Sequence, residues 1–379
     1  MSYWACNQEE LVITFRKAAY SGLALLAVGA VLAGCATPPP AETTAPTDAP
    51  MASDFLPCMV SDAGGFDDKS FNQLGKDGID SAAAALGVTP ILVESDDESD
   101  FAPNIQSLLD QGCTAIVTVG FALSAATVEA ALANPDVEFI IVDDAADNDF
   151  DGKTDAPNIK PLLFDTAQAA FLAGYAAAAF STTGVVGTYG GAPYPTVTIF
   201  MDGFAQGVDY FNAENGAAVK VVGWDRSNPD GGAFTGGFAN DAAATTTAQG
   251  IIDQGADVIL PVGGPIYLAA ATIIQNTGAP IALIGVDADV FDTDPSVASL
   301  LLTSVRKLID VAVNEAVTEA GNGEFDPTPF IGTLENGGVG IAPFHDFESK
   351  VPADLGATLD DIAAGIIDGS IPVESYLAG

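Results

Sequence analysis

Short apolar runs recur along this chain, each closed by glycine or an acid and followed by apolar residues at helical spacing. Phe55 to Val60 is the first such run, ending in Ser61-Asp62-Ala63-Gly64-Gly65, and an amphipathic segment extends from Ser70 towards Ala85. That order predicts strand, tight glycine turn and helix, with Gly64 and Gly65 permitting positive φ. Thr89–Val93 reads as a second strand. A helix follows over Phe101–Gln111, with Ile105, Leu108 and Leu109 on one face and Gly112 as its stop. Thr114–Val119 is a third strand. Gly120-Phe121 opens a helix to Ala133, and Val137–Val142 is a fourth strand that ends in Asp143-Asp144. Four βα repeats with continuously apolar strands predict a parallel sheet covered on both faces. Ligands of such sheets lie at the carboxyl ends of the strands, so Asp62, Phe71 and Asn72 are expected to face a crevice. From local pattern alone, Phe71 fits a ligand-stacking residue and a core residue of the first helical turn equally well.

A second series of the same kind follows. Pro161–Asp165 is read as a strand that makes the first crossing between lobes. Helices are predicted over Ala167–Phe180, Val197–Tyr210, Asp241–Gln254 and Leu268–Gln275. A strand and turn are predicted over Gly184–Gly191, and strands at Ala218–Val222, Ala256–Pro261 and Pro280–Gly285. Ser299–Val305 is expected to lead back to the first lobe. A helix over Arg306–Ala320, a loop-rich Gly323–Gly338, a short strand Val339–Pro343 and a last helix Leu355–Asp368 complete the chain. The globular part is too long for one ordinary core, which predicts two lobes: 54–165 plus 305–338, and 166–304 plus 339–379.

The ends change the picture. Arg16-Lys17 precede an apolar run from Leu23 to Ala33, and Leu32-Ala33-Gly34-Cys35 closes it. Such a segment is shorter than the ~20 residues a membrane-spanning helix needs, and it resembles a bacterial lipoprotein signal. Residues 1–34 are therefore expected to be a signal peptide and Cys35 a lipid-bearing residue that anchors the protein to the cell membrane. Residues 35–53 form a Pro/Thr-rich tether. With 51 acids against 11 bases, the net charge is −40, which argues against binding nucleic acid or anionic lipid surfaces. Of four cysteines, Cys58 and Cys113 remain in the body. They lie beside strands adjacent in a 2-1-3 sheet, within geometric reach of a disulfide, which an exported protein can form. The other reading is two buried thiols that never meet.

Catalytic signatures are missing. The only histidine, His345, sits among loop signals and reads as a surface residue. No G-x-S-x-G elbow, phosphate-binding GxxxxGK[ST] or strand-positioned GxGxxG occurs. No cofactor is expected. Asp147, Asp149 and Asp151 followed by Gly152 match the opening of a calcium loop. The twelfth position is Asn158 rather than a bidentate Glu, and no metal is assigned. The acid pairs Asp143/Asp144 and Asp287/Asp289 would suit a surface nucleosidase or glycosidase by residue type, but nothing else favours one.

The letters S-D-A-G-G-F-D-D-K-S-F-N (61–72) resemble the signature of the basic membrane protein family, the purine-nucleoside-receptor type of ABC-importer substrate-binding lipoprotein. Val119-Gly120-Phe121, Phe171-Leu172-Ala173-Gly174-Tyr175, Gly285-Val286-Asp287-Ala288-Asp289, Thr303-Ser304-Val305-Arg306-Lys307 and Asn336-Gly337-Gly338-Val339-Gly340 extend the likeness over the whole body. The resemblance implies a type I periplasmic-binding-protein fold: α/β, two doubly wound parallel-sheet lobes joined by three crossing segments, near Asp165, Ser304 and Gly338. It implies a monomer that holds a nucleoside between the lobes and hands it to an ABC permease. On that pattern Phe71 and Phe238 sandwich the base, and Asp62 and Asn72 meet its edge, with Phe121 nearby. Asp287, Gly264 and Lys307 hold the ribose. Lys307 could otherwise be an ordinary helix-surface ion pair. Many relatives carry an acid after the Gly-Phe turn, where this chain has Ser124-Ala125-Ala126, so Ser124 or Asp144 is the expected substitute. A sugar or signalling-molecule receptor of the same fold is the alternative.

Overall fold

The computed structural model describes residues 54–377. The expected signal peptide and tether, and Cys35 as the expected lipid-bearing residue, lie outside the described residues. Two six-stranded sheets organise the chain. The first uses β1 (Pro57–Val60), β2 (Ile91–Val93), β3 (Ala115–Val119), β4 (Glu138–Val142), β5 (Ile159–Phe164) and a short late strand, β11 (Phe330–Gly332). Its order is β11-β5-β4-β3-β1-β2, all parallel. Helices α1 (Phe71–Leu86), α2 (Phe101–Asp110), α3 (Ser124–Ala133) and α9 (Ile309–Gly321) cover it. β1 and β3 are buried along their whole length, which is why they read as unbroken apolar runs.

The second sheet repeats the plan in the order β12-β10-β9-β8-β6-β7. Its strands are β6 (Val185–Gly190), β7 (Lys220–Val222), β8 (Val258–Val262), β9 (Ala282–Asp287), β10 (Leu301–Lys307) and β12 (Val339–Ile341). β12 alone runs antiparallel, against β10. Its helices are α4 (Thr166–Phe180), α5 (Pro195–Asn215), α6 (Ala242–Asp253), α7 (Tyr267–Thr277), the one-turn α8 (Val290–Thr293) and α10 (Leu355–Ile367). Among the described residues, no helix is long and apolar enough to cross a membrane.

Two sequence expectations need correction. The strand expected to lead back to the first lobe is β10, which instead pairs with β9 (Ser304↔Gly285, Val305↔Val286) and completes the second sheet. A strand buried on both faces carries no mark of which sheet buries it. The crossing comes after it, at Leu308, whose N–H donates to Gly338. The loop-rich stretch 323–338 contains β11, which pairs with β5 (Phe330↔Leu162). Three residues directly after Pro329 are too few to show a period.

α4 and α5 pack with backbones nearly touching. A Cβ on Gly174 would lie 2.0 Å from the Phe204 carbonyl oxygen, and one on Gly207 1.9 Å from that of Phe171. The Ala-rich α4 is therefore buried on nearly every side, as its lack of a polar stripe requires. At the other sheet, Cys58 of β1 and Cys113, which leads into β3, are joined in a disulfide with Cα atoms 6.0 Å apart.

Replacing Gly207 by Ala should cost at least about 3 kcal/mol, because the obstructing atom is backbone rather than a side chain that can turn away. A denaturant midpoint unchanged from wild type would refute this packing. The Cys58→Ala/Cys113→Ala protein should lose about 2–4 kcal/mol, since the bridge closes a loop of 55 residues. Reducing agent should lower wild-type stability in step and leave the double variant unmoved.

Candidate ligand-binding cleft

The carboxyl ends of both sheets face one another across a cleft whose free space, open solvent included, is about 500 Å³. From the first lobe come the loop after β1, the start of α1, Phe121 after β3 and Asp143 after β4. The second lobe contributes the first turn of α5, Phe238, the turn after β8, and the ends of β9 and β10. Of the nine expected ligand residues, the fold brings eight to this space: Asp62, Phe71, Asn72, Phe121, Phe238, Gly264, Asp287 and Lys307. Asp144 is not among them.

Lys307 forms the floor. Its side chain is only 3% exposed, it donates to Asp143 Oδ2, and it lies 3.2 Å from Asp287 Oδ1. The ring centroids of Phe71 and Phe200 are 5.2 and 4.9 Å from its ammonium, close enough for a cation–π contribution. Burial would lower the lysine's pKa, but the two carboxylates outweigh it and hold the ammonium above the usual lysine range. Asp143 and Asp287 both have left-handed backbones, φ 64° and 66°, at the ends of β4 and β9. Asp is one of the few residues that accept this conformation, and it brings the two carboxylates to the same lysine from opposite lobes. Asp287 Oδ1 is buried and has no hydrogen-bond partner of good geometry, although Lys307 is at ion-pair distance. A buried acceptor left in that condition is one that a donor from a ligand can satisfy.

Asp68 and Asn72 build the first-lobe wall. Asp68 Oδ1 accepts from the N–H groups of Ser70 and Gln73, and Oδ2 from that of Asn72, so this carboxylate caps α1. The Asn72 amide is committed in turn. Nδ2 donates to Asp62 Oδ1 (2.7 Å) and to Asp68 Oδ2 (3.1 Å), and Oδ1 accepts from the Asp62 N–H at 3.3 Å. Asp62 Oδ1 also accepts from Gly64 N–H at 2.9 Å. Burial pushes the Asp62 carboxyl up to about 6, and burial likewise brings Asp143 to about 6 despite its lysine.

Phe238 rests in a niche made by two glycines. A Cβ at Gly191 would meet its ring at 2.4 Å, and one at Gly263 at 2.6 Å. Phe121 stacks at a tilt on Tyr194, centroids 4.1 Å apart, and its centroid lies 6.3 Å from that of Phe238. Hydrogen bonds also cross between the lobes. Ser70 Oγ is 2.8 Å from the Val286 carbonyl and 3.1 Å from Asp287 Oδ2, while Thr293 Oγ1 donates to the Lys69 carbonyl at 2.6 Å.

Several expectations fall elsewhere. Asp144 accepts from Ser124 Oγ and Ala146 N–H, so the two residues expected to replace the missing acid satisfy each other outside the cavity. The left-handed turn at Asp143 sends that residue, not its neighbour, into the cleft. His345 is no free surface residue: it stacks on Phe291 (centroids 3.9 Å apart) and bonds Asp289 Oδ2 at 2.8 Å, removing Asp289 from any carboxylate pair with Asp287. Carboxylate oxygens of Asp147, Asp149 and Asp151 lie within 4.8 Å of one another, but those of Asp147 and Asp149 already accept backbone N–H groups. Asn158 Nδ2 donates to the backbone carbonyls of Ala131, Asn134 and Val137. Sequence reasoning missed Asp143 as a cleft residue, Asp68, Phe200 and Thr196, whose buried Oγ1 has no partner at the cavity wall. The S-D-A-G-G-F-D-D-K-S stretch held a signal for Asp68, since an acid shortly before a helix start is a cap signature.

The raised carboxyls set a pH dependence. Between pH ~4 and ~6 the folded protein holds protons on Asp62 and Asp143 that the unfolded chain, near 3.8, has released. Stability from this source therefore falls as pH rises through that window, and Tm should increase from pH 7 to pH 5. Asp62→Asn should flatten the slope. A Tm that falls steadily on acidification to pH 5 would contradict the assignment.

The family described as "ABC transporter substrate-binding protein PnrA-like" matches residues 55–354. A curated relative, the ABC transporter nucleoside-binding protein BmpA of Lactococcus lactis subsp. cremoris, is 27% identical, the match covering 95% of this chain and 99% of that one. Basic membrane protein A1 of Borrelia garinii subsp. bavariensis is 27% identical over 83% of this chain and 88% of its own. Among solved structures, an ABC transporter solute-binding protein from Aeropyrum pernix K1 aligns with TM-score 0.74 at 23% identity, covering 85% and 94% of the two chains. One from Bacillus halodurans C-125 with bound myo-inositol aligns with TM-score 0.54 at 12% identity, covering 81% and 98%. With most of its length matched and the two-lobed fold shared, this chain belongs to the family of PnrA-like ABC transporter substrate-binding proteins.

Proposed function

We propose that this protein is the nucleoside-capturing component of an ABC importer, held outside the cytoplasmic membrane by a lipid on Cys35 and delivering its ligand to a membrane permease. The observation that carries the reading is the meeting of two chemistries in one cavity. Phe71, Phe121 and Phe238 line it with aromatic surface, as a flat ring system requires. The same space holds Asp287, whose buried Oδ1 lacks a hydrogen-bond donor of good geometry beside the Lys307 ammonium. A vicinal diol supplies that donor and accepts from lysine, and a nucleoside joins a flat ring to such a diol. The Lactococcus lactis relative is named a nucleoside-binding protein, which supports the same class. Four cleft carboxylates against one lysine make nucleoside phosphates poor ligands. The reading involves no chemistry on the ligand: Lys307 already ties up the Asp143 carboxylate, and Asp289 is engaged by His345.

Thermal unfolding against nucleosides, free bases and pentoses tests it. A nucleoside at ~100 times its Kd adds ~2.7 kcal/mol and should raise Tm by several degrees, with ribose or free base alone giving much less. Phe238→Ala should weaken nucleoside binding by about 10- to 100-fold, the worth of one base–aromatic stack. A shift with pentoses only would replace the nucleoside by a sugar, and free base accumulating in the mixture would make the protein an enzyme.

A further inference from the structure

We infer that the cleft continues beside Phe121 and Phe238 into an apolar recess that takes an uncharged, apolar substituent on the base, so that this chain favours base-substituted nucleosides over plain ones. The inference rests on the nucleoside reading of the cleft and goes beyond it to the class of base. Its ground is a second space that opens beside the first, with about 380 Å³ of free space, open solvent included. The two spaces share Asp62, Gly64, Phe121 and Phe238, whereas Asp143, Asp287 and Lys307 line only the first. The recess is therefore reached from the part of the cleft where a ring lies against Phe121 and Phe238, away from the lysine and its two carboxylates. Asp62 belongs to both spaces, so the ring edge that meets Asp62 carries its substituents towards the recess.

The walls decide what fits. Ala63, Phe101, Phe121, Ala122, Tyr194 and Phe238 make most of the lining apolar. Phe101 opens α2 and is only 4% exposed. A capping box between Asp97 and Asp100 fixes the turn just before it, so this wall stands without help from a ligand. Tyr194 of the second lobe stacks on Phe121 of the first, centroids 4.1 Å apart, and both lobes thereby contribute to the recess. Ser124 and Asp144 bond each other and line neither space. Water held between such walls finds few partners, and an apolar group that displaces it gains affinity. Aromatic walls suit an aromatic substituent best. The two acids of the lining, Asp62 and Glu98, disfavour an anionic one.

The test is calorimetric titration of the intact protein with adenosine and with N6-benzyladenosine, whose exocyclic nitrogen keeps one hydrogen. The benzylated nucleoside should bind about fivefold more tightly or better, the order of gain that filling an apolar pocket brings. Ala63 and Ala122 line the recess but not the first space, so enlarging either should close the recess and spare the base site. In Ala122→Leu, N6-benzyladenosine should lose about tenfold or more while adenosine stays within about twofold of wild type. Ala63 is exposed, and Ala63→Leu, which the fold tolerates for that reason, should show the same split. A wild type that binds the benzylated nucleoside no more tightly than adenosine would overturn the inference without touching the nucleoside reading. A preference surviving unchanged in both variants would also overturn it, as would equal loss of both nucleosides in both variants. Failure of every nucleoside to bind would instead remove the functional reading on which it rests.

Discussion

Lys307 is a full positive charge almost without contact with water, and two carboxylates from two different sheets hold it there. Asp143 belongs to the first lobe, Asp287 and Lys307 to the second, so the triad ties the lobes together at the base of the cleft. Removing one partner of such a buried pair typically costs about 3–5 kcal/mol, because the remaining charge is stranded. Much of the surrounding geometry follows from this constraint. Both aspartates adopt left-handed backbones to reach the lysine, Phe71 and Phe200 lie over the ammonium, and Ser70 reaches Asp287 from the opposite lobe. The charge balance is nevertheless incomplete. Two carboxylates share one ammonium, and Asp287 Oδ1, though at ion-pair distance from it, lacks a hydrogen bond of good geometry.

The fold was largely legible in the sequence, because strands buried on both faces must be written as apolar runs and the helices between them need an amphipathic or Ala-rich stripe. Gly64-Gly65, Gly120 and Gly263-Gly264 marked the turns at the carboxyl ends of β1, β3 and β8, where the cleft opens. What could not be read was where the chain spends its polar groups. Asp143 and Asp144 are adjacent letters, and only a backbone turn at φ 64° decides which one enters the cavity. Asn72 lines the cavity, yet its amide is consumed by Asp62 and Asp68, a fact of three-dimensional hydrogen bonding invisible in one dimension. β10 is likewise equally apolar whichever sheet receives it, and the solitary His345 gave no sign of Asp289 or Phe291, 56 and 54 positions away.

The second lobe shows how little its aromatic wall depends on the aromatic residue itself. Phe238 lies on a loop between β7 and α6, outside any regular element, and its ring is held by the absence of side chains at Gly191 and Gly263. Orientation here comes from two missing methyl groups. The same device sets the approach of α4 to α5, where Gly174 and Gly207 bring backbone against backbone.

Lys69, whose carbonyl accepts from Thr293, and Ser70, which donates to Val286, tie the first lobe to the second immediately before Phe71 in the chain. The segment that closes the two lobes on each other is therefore continuous with the segment that lines the cavity, and neither can shift without the other. One stretch, 68–72, thus serves as cavity wall and interlobe contact at once, and a substitution within it alters both.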